Sequence, residues 1–196
     1  MLGTRGKKLL MNTKNYLKYF SIGIVLLVAG GAGVCFYRAQ FASDLQIKQF
    51  NKERDTSFIL DCFERDRYWL TNNPDFSPQF MIDHMSPQQN PKYFGKQQIR
   101  VLFCKETPIG FGAFYMKSFY EGKIHFLYVD KNYRGKGFSS VLMQYMIAQL
   151  VKQGAKFIKL CTRVNNQPAR ALYRKLGFKE SSPDEMGFVF FELRKQ

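Results

Sequence analysis

The chain has 196 residues, 45% hydrophobic and 23% charged, a length and composition suited to one globular domain and an appendage. Four cysteines without a close pair, beside only two histidines, argue against a zinc site or a dense disulfide framework and predict reduced thiols. The net charge of +15 favours anionic partners. The basic residues are scattered without a run of exposed aromatic residues, so a nucleic-acid partner is not expected.

An uncharged hydrophobic stretch, Tyr19 to Tyr37, lies near the N-terminus between Lys18 and Arg38. As a helix it would be roughly 28 Å long, close to the hydrocarbon thickness of a bilayer, and it has aromatic residues at both ends. We therefore expect residues 1–18 to be a basic tail and residues 19–37 a retained transmembrane helix. A cleaved signal peptide is the main alternative, although no clean cleavage site follows.

The pattern from residue 44 onward predicts strands and helices in alternation. Before residue 130 we predict strands at 45–50, 98–105, 109–118 and 124–129, and helices at 55–70 and 78–85. Thr107-Pro108 and residues 120–122 are interpreted as the turns before the third and fourth strands.

The second half of the domain begins with a glycine-containing loop and a helix that ends near Gln153, with Gly154 as its C-cap. The predicted buried stripe of this helix is Phe138, Val141, Leu142, Tyr145 and Ala148. A strand at 155–164, a helix capped by Asn165 or Asn166 and ending at Gly177, and a strand at 187–193 follow. This order predicts an α/β domain over residues 44–196 with a mixed sheet and one parallel crossover.

The loop within Val129 to Ser140 joins an apolar strand to an amphipathic helix. The first turn of a helix has unpaired N–H groups and a partial positive charge, and glycines let the backbone approach an anion closely. Arg134 and Lys136 add positive charge. The loop therefore has the character of a diphosphate cradle, with a solvated basic turn as the alternative reading. It matches neither an ATP P-loop nor a dinucleotide fingerprint.

A second motif, Leu172-Tyr173-Arg174-Lys175-Leu176-Gly177-Phe178, follows later in the chain. Together with Arg134-Gly135-Lys136-Gly137-Phe138-Ser139, it resembles the signatures of the GNAT superfamily of N-acetyltransferases. Ser139 stands where the family usually has Gly or Ala. The resemblance is specific in the second half and rests on element order over residues 44–100. It implies a mixed, mostly antiparallel sheet with splayed central parallel strands flanked by helices.

The resemblance also implies that acetyl-CoA lies between the strands at 124–129 and 157–162, and it implies no metal. Main-chain groups of the first strand would pair with the pantetheine, the loop amides would hold the diphosphate, and an asparagine would bond near the pantetheine. The cofactor-binding residues implied in this way are Leu127, Tyr128, Val129, Arg134, Gly135, Lys136, Gly137, Phe138, Ser139 and Asn166.

The catalytic acid implied by the resemblance is Tyr173, whose hydroxyl would protonate or hydrogen-bond the leaving sulfur. Many relatives have a glutamate as base at the position that Lys123 occupies here. Glu121 and His125 share the strand face of Lys123 by alternation, so either residue, or an ordered water, remains a candidate for the base.

The resemblance implies an N-acetyltransferase that acts on a primary amine of a small molecule or peptide. Trp69, Phe76, Phe80, Tyr93 and Phe94 are candidates for the acceptor pocket or for the core. Polyamine, antibiotic, amino acid, peptide N-terminus and protein lysine all stay open as acceptors, as does the oligomeric state. Because acetyl-CoA is a cytosolic metabolite, we expect a single-pass membrane protein with its domain facing the cytoplasm. A non-enzymatic acyl-CoA-binding sensor or docking module is the alternative.

Overall fold

The computed structural model of the protein describes residues 44–86 and 95–195. The predicted basic tail and the hydrophobic stretch at 19–37 lie outside these ranges. Within them, no helix combines the length and the apolar character that crossing a bilayer requires.

The described chain alternates strands and helices as the sequence predicted. Its elements are β1 (Leu45–Gln49), α1 (Lys52–Leu70), α2 (Pro78–His84), β2 (Gln98–Cys104), β3 (Thr107–Met116), β4 (Glu121–Val129), a 3-10 turn (Lys131–Tyr133), α3 (Phe138–Lys152), β5 (Phe157–Arg163), α4 (Gln167–Lys175), β6 (Lys179–Glu180) and β7 (Phe188–Arg194). The strands form a seven-stranded sheet in the order β1-β2-β3-β4-β5-β7-β6. β4 and β5 run parallel, whereas the pairs β2–β3, β3–β4, β5–β7 and β6–β7 are antiparallel. The predicted mixed α/β sheet is thereby confirmed.

Helix α1 begins at Lys52, three residues before its predicted start, because Asn51 caps it. The Asn51 side chain accepts a hydrogen bond from the Arg54 amide (2.9 Å), and the Asp55 carboxylate accepts one from the Asn51 amide (2.8 Å). Near its other end the helix is kinked at Asp66, which has non-helical φ and ψ of −126° and 27°. This kink lies directly beside the functional site described below.

Helix α3 packs on one face of the sheet with a different stripe from the one predicted. The buried residues are Phe138, Leu142, Met143, Met146 and Leu150, whereas Val141 and Tyr145 are only half-buried and Ala148 is exposed. Two glycines of the sheet leave room for the side chains on this face of the helix. A Cβ on Gly112 would lie 2.5 Å from the Met146 sulfur, and one on Gly122 would lie 2.9 Å from a Leu150 methyl group. The methionine and leucine therefore occupy space that only glycine leaves free.

Helices α1 and α2 cover the opposite face, where an aromatic cluster forms the core. Phe63 of α1 meets Phe126 of β4 edge-on, with ring centroids 5.1 Å apart, and stacks on Phe76 at 5.4 Å. Phe76 belongs to the loop between α1 and α2, so these contacts fix that loop over β4.

The predicted turn at Thr107-Pro108 is wrong, and the one at residues 120–122 is right only at Tyr120. Thr107-Pro108 already belongs to β3, whose preceding turn is at Lys105, with a positive φ of 55°, and Glu106. Residues 121 and 122 belong to β4, where Gly122 admits α3 instead of making a turn. The short strand β6 was not predicted, since two residues carry no readable periodicity.

Candidate active site

The central feature of the sheet is a gap between the parallel strands β4 and β5. Their pairing is confined to Glu121–Phe157, Gly122–Ile158 and Lys123–Lys159, although β4 continues to Val129 and β5 to Arg163. The strands therefore diverge after Lys123.

A bulge in β4 accompanies this divergence. Ile124 pairs with Phe114 of β3 and Phe126 with Ala113, so His125 is an extra residue in the ladder. A bulge bends its strand and increases its twist. It also brings His125 and Phe126 to the same face of the sheet, where the rings of both lie near Phe76.

A cavity of about 640 Å³ passes through the gap and gathers most of the predicted site residues. Those that line it are Leu127, Tyr128, Val129, Arg134, Gly135, Phe138, Ser139, Asn166, Tyr173 and His125. Three other predicted residues, Lys136, Gly137 and Glu121, do not line it.

The loop after β4 has the geometry that an anion requires. Gly135 and Gly137 adopt φ of 78° and 84°, a region that disfavours other residues. A Cβ on Gly135 would meet no atom within 4 Å, so the space in front of this residue is open. Gly137 is the N-cap of α3 and makes no side-chain capping bond. The helix start is thus available to a phosphate group.

Arg134 is fixed beside this loop by two acceptors. Its Nε donates to the Val129 carbonyl (2.8 Å), and its guanidinium lies 3.4 Å from the Asp66 carboxylate. Asp66, at the kink of α1, also accepts a hydrogen bond from the Tyr128 hydroxyl (2.8 Å). Burial and this bond raise the pKa of Tyr128, so it remains protonated. These contacts tie the end of α1 to the loop.

Tyr173 of α4 reaches the cavity from the α3 face of the sheet. It is only 7% exposed, and its ring packs against Phe191 (centroids 5.1 Å apart) and Phe178 (6.1 Å). Burial raises the pKa of Tyr173, which keeps its hydroxyl protonated at physiological pH. A protonated hydroxyl in this position can donate a hydrogen bond or a proton.

Helix α4 starts at a cap of Asn166, one of the two predicted candidates. The Asn166 side-chain oxygen accepts from the Ala169 amide (3.4 Å), and its amide donates to the Thr162 hydroxyl (3.1 Å). These bonds hold the residue against β5 at the wall of the cavity.

His125 is enclosed by aromatic rings and one amide. Its Nδ1 lies 2.8 Å from Oε1 of buried Gln97, and its ring lies 4.0 Å from the Phe126 ring. Burial, followed by the positive charge of Lys123, lowers the pKa of His125 to about 3. The imidazole is therefore neutral, and donation to Gln97 would place its proton on Nδ1. Gln97, just before β2, carries no sequence signal that relates it to the site.

Glu121 is engaged elsewhere. Its carboxylate pairs with Lys159 (3.1 Å) and Lys117 (3.3 Å). Burial alone would raise the pKa of Glu121, but the hydrogen bonds from the two lysines outweigh it and lower the pKa. The structure thus brings His125 and Tyr173 into one cavity and leaves Glu121 outside it, while Lys123 lines the cavity.

Sequence reasoning missed several residues that tertiary structure brings to the cavity: Tyr68, Tyr115, Lys117, Cys161, Arg163 and Phe188. Of the predicted acceptor aromatics, Trp69 and Phe76 line it, whereas Phe80 stacks on His84. Tyr93 and Phe94 lie outside the described residues. In the part of the chain that the structure describes, no three His, Cys, Asp or Glu side chains converge as metal ligands do.

The gap, the glycine loop at a helix start and the buried tyrosine share one cavity. Residues 48–178, more than half of the chain, match the Acetyltransferase (GNAT) family. The chain therefore belongs to the GNAT family of acetyltransferases. Members of this family use acetyl-CoA.

Three curated relatives resemble a short part of the chain. An uncharacterized N-acetyltransferase of Methanocaldococcus jannaschii is 34% identical over 58 residues, which are 30% of this chain and 26% of the relative. The N-alpha-acetyltransferase MAK3 of Arabidopsis thaliana is 39% identical over 59 residues, 30% of this chain and 31% of the relative. The [Ribosomal protein bS18]-alanine N-acetyltransferase of Escherichia coli is 37% identical over 54 residues, 28% of this chain and 36% of the relative. The chain thus matches well under two thirds of each relative's length.

Solved structures share the fold over most of the domain. An acetyltransferase of Salmonella typhimurium that modifies the N-terminal serine of ribosomal protein L7/L12 has a TM-score of 0.61 at 14% identity, covering 79% of this chain and 96% of its own. A Salmonella typhimurium protein solved with its cofactor acetyl-CoA has a TM-score of 0.62 at 15% identity, covering 78% and 94%. At these identities the likeness concerns the fold alone.

Proposed function

We propose that this protein transfers an acetyl group from acetyl-CoA to the N-terminal α-amino group of a polypeptide. The observation that carries the proposal is a single cavity, which joins the glycine loop at the start of α3 to Tyr173 through the gap between β4 and β5. Bound acetyl-CoA supplies an acetyl group activated as a thioester.

The chain's own groups fit this cofactor. The open space at Gly135 and the uncapped start of α3 suit a diphosphate, and Arg134 adds a fixed positive charge. The edge of β4 from Leu127 to Val129, which β5 leaves unpaired, offers main-chain groups for the amide-containing pantetheine arm. The Tyr173 hydroxyl, protonated by burial, is suited to stabilise or protonate the departing thiolate.

The choice of an α-amine follows from the weakness of the available bases. An amine attacks only in its neutral form, but His125 has a pKa of about 3 and Glu121 is paired with two lysines. At pH 7 roughly 10–17% of an α-amine is neutral, given its pKa of about 7.7–8.0, against about 0.04% of a lysine side chain with a pKa of about 10.4. The difference of a few hundredfold favours the α-amine.

Two further observations agree with this choice. The positive charge of Lys123 in the cavity disfavours a neighbouring ammonium group and so promotes its deprotonation. In addition, the Escherichia coli relative is named for an alanine of a ribosomal protein, and the Salmonella typhimurium structure for an N-terminal serine.

A pair of peptides tests the proposal. One has a free α-amine and no lysine, and the other has a blocked N-terminus and one internal lysine. Thiol release from acetyl-CoA at pH 7, with the acetylated position read by mass spectrometry, should favour the first peptide by at least about a hundredfold. The rate with the first peptide should rise with pH toward a pKa near 8 and keep this profile in His125→Gln. Preference for the lysine peptide would contradict the α-amine, and cofactor binding without transfer to any amine would indicate a sensor.

We also propose that residues 19–37 anchor the protein in a membrane, with the acetyltransferase domain on the cytoplasmic side. The support is the sequence itself, an uncharged stretch of bilayer length between Lys18 and Arg38, together with the cytosolic location of acetyl-CoA.

A further inference from the structure

The cavity contains positive side chains and no carboxylate. All 15 acidic residues of the chain lie within the described ranges, and none of them lines the cavity. Four basic residues do: Lys117, Lys123, Arg134 and Arg163. A polyamine or another polycationic acceptor would be repelled here, because like charges in a partly enclosed site disfavour each other.

Two of the four basic residues already have a carboxylate partner in the protein. Lys117 pairs with Glu121, and Arg134 pairs with Asp66. Lys123 and Arg163 form no ion pair with a side-chain carboxylate anywhere in residues 44–86 and 95–195. These two cations are therefore available to a negative charge that the protein does not supply.

Arg163 is held rigidly despite lacking a carboxylate partner. Its Nε donates to the Tyr68 carbonyl (2.7 Å), and its guanidinium lies 4.0 Å from the Tyr68 ring centroid and 5.1 Å from that of Phe188. The Tyr68 hydroxyl in turn accepts from Asn165 (3.2 Å). A stacked guanidinium keeps further N–H donors in a fixed plane, which suits recognition of a carboxylate.

The face that carries these cations is open to a polypeptide. Along β5, Lys159, Cys161 and Arg163 alternate with buried residues, and they share this face with Phe190 of β7, which is 46% exposed. Tyr68 and Trp69, 53% and 45% exposed, stand beside it at the end of α1. Exposed aromatic residues beside an arginine are typical of a surface that binds another polypeptide.

We propose that the acceptor polypeptide carries acidic side chains directly after its N-terminal residue, and that Lys123 and Arg163 bind them. This inference rests on the proposed function. An extended chain advances about 3.3 Å per residue, so the second and third side chains lie within a few ångströms to about 10 Å of the reacting amine. Lys123, at the point where β4 and β5 diverge, and Arg163, at the end of β5, flank the gap at its two ends.

Trp69 offers a direct measurement of peptide binding. It is the only tryptophan of the chain and lines the cavity, so its fluorescence reports occupancy whether or not transfer occurs. The probes are three peptides identical except at residues two and three, which are both Asp, both Asn or both Lys. With the full-length protein, the Asp peptide should bind about tenfold more tightly than the Asn peptide, and the Lys peptide most weakly, with the difference shrinking at high salt.

Charge reversal gives a sharper test. Lys123→Glu should reverse the order, so that the Lys peptide binds more tightly than the Asp peptide. Arg163→Gln should reduce the preference for Asp by several-fold. The matched control is Lys152→Glu, the same change at an exposed residue of α3 outside the cavity, which should preserve the wild-type order.

The outcomes separate this inference from the function on which it rests. Equal binding of the Asp and Asn peptides, tightest binding of the Lys peptide, or no fluorescence change with any peptide would overturn the acidic acceptor. A Lys123→Glu protein that only shifts the pH profile equally for all peptides would likewise overturn it. Thiol release is scored separately: ordered binding without transfer refutes the transferase function, whereas transfer without discrimination refutes the acidic acceptor alone.

Discussion

Burial keeps two residues of the cavity uncharged by shifting their pKa values in opposite directions. The pKa of Tyr173 is raised, so it remains a neutral phenol, and that of His125 is lowered to about 3, so it remains a neutral imidazole. A neutral phenol suits proton donation to a leaving thiolate. An imidazole of such low pKa is a weak base, so the acceptor amine must itself be neutral when it binds.

Replacement of Tyr173 by Phe should lower turnover by a factor on the order of 100, since a positioned general acid contributes at least that much. Affinity for acetyl-CoA, measured by calorimetry, should stay within about twofold because the ring and its packing are retained. Tyr145→Phe is the matched control: Tyr145 bonds Arg100 through its hydroxyl and does not line the cavity. Unchanged turnover in Tyr173→Phe would remove this residue from the chemistry.

His125 should make the protein sensitive to acid. Its pKa is about 3 in the folded state and near 6.5 when unfolded, so between these values the unfolded chain binds the extra proton. Stability is therefore unaffected by His125 above about pH 6.5 and falls as pH decreases below it, by about 2.7 kcal/mol at pH 4.5.

Denaturant unfolding at several pH values tests whether stability falls in this direction with pH. His125→Gln should lose less stability than wild type between pH 7 and pH 4.5. His84→Gln, at an exposed position of α2, should follow the wild-type curve. Parallel curves for all three proteins would show that His125 is not held neutral by burial.

Among the helices and strands, the start of α3 is the element that we expect to affect acetyl-CoA binding most. Gly137 has φ of 84°, and a β-branched residue there is strained and obstructs the first helical turn. Gly137→Val should weaken acetyl-CoA binding by at least about tenfold, because the main-chain bonds to a charged group are each worth about 1.5–3 kcal/mol.

Gly154→Val is the control that distinguishes a loss of acetyl-CoA binding from a loss of stability caused by backbone strain. Gly154 has a similar φ of 98° at the far end of α3, so this variant should lose comparable stability yet retain acetyl-CoA affinity. Equal affinity in both variants, measured by calorimetry, would place the diphosphate elsewhere.

The elements that the sequence predicted best are those defined by local signals. The loop from Arg134 to Ser139 and the cap at Asn166 depend on glycines and side chains adjacent in the chain. The cavity wall contains Asn166 and all residues of the loop except Lys136 and Gly137. The buried face of α3 was predicted incorrectly in part, because Gly112 and Gly122 of the sheet select it by leaving room for Met146 and Leu150. Periodicity within one helix contains no information about such a partner.

The site residues that could not be predicted from the sequence come from elements that are distant in the chain. Gln97, just before β2, contacts His125, whereas Tyr68 near the end of α1 and Arg163 at the end of β5 line the cavity. Only the folded sheet brings these residues close to one another. The bulge at His125 is equally invisible in the sequence, because it is a property of register between β3 and β4. Alternation did place Glu121, Lys123 and His125 on one face, but Glu121 pairs with Lys159 and Lys117 and does not line the cavity.

At the scale of the whole molecule, charge is distributed unevenly. The first 43 residues contain no acidic residue, and the carboxylates of the domain lie outside its cavity. The balance of +15 therefore describes a basic N-terminal region as well as a domain with a positive binding face.

The proposed anchor predicts that the full-length protein sediments with membranes and resists extraction by alkaline carbonate. A variant with Leu26→Arg and Val28→Arg should appear in the soluble fraction, because charges near the centre of such a stretch cost about 2.5–3.5 kcal/mol each. Lys8→Arg and Lys14→Arg together, which keep the charge of the tail, are the control. A full-length protein that carbonate releases completely would contradict the anchor.

We propose that the glycine loop, the start of α3 and the edge of β4 that β5 leaves unpaired hold acetyl-CoA. Amide hydrogen exchange with and without acetyl-CoA tests it most directly. We expect slower exchange on binding over residues 127–129, which border the gap, and over residues 134–140 at the start of α3, with the effect lost in Gly137→Val. Protection confined to other segments, or none at saturating acetyl-CoA, would contradict it.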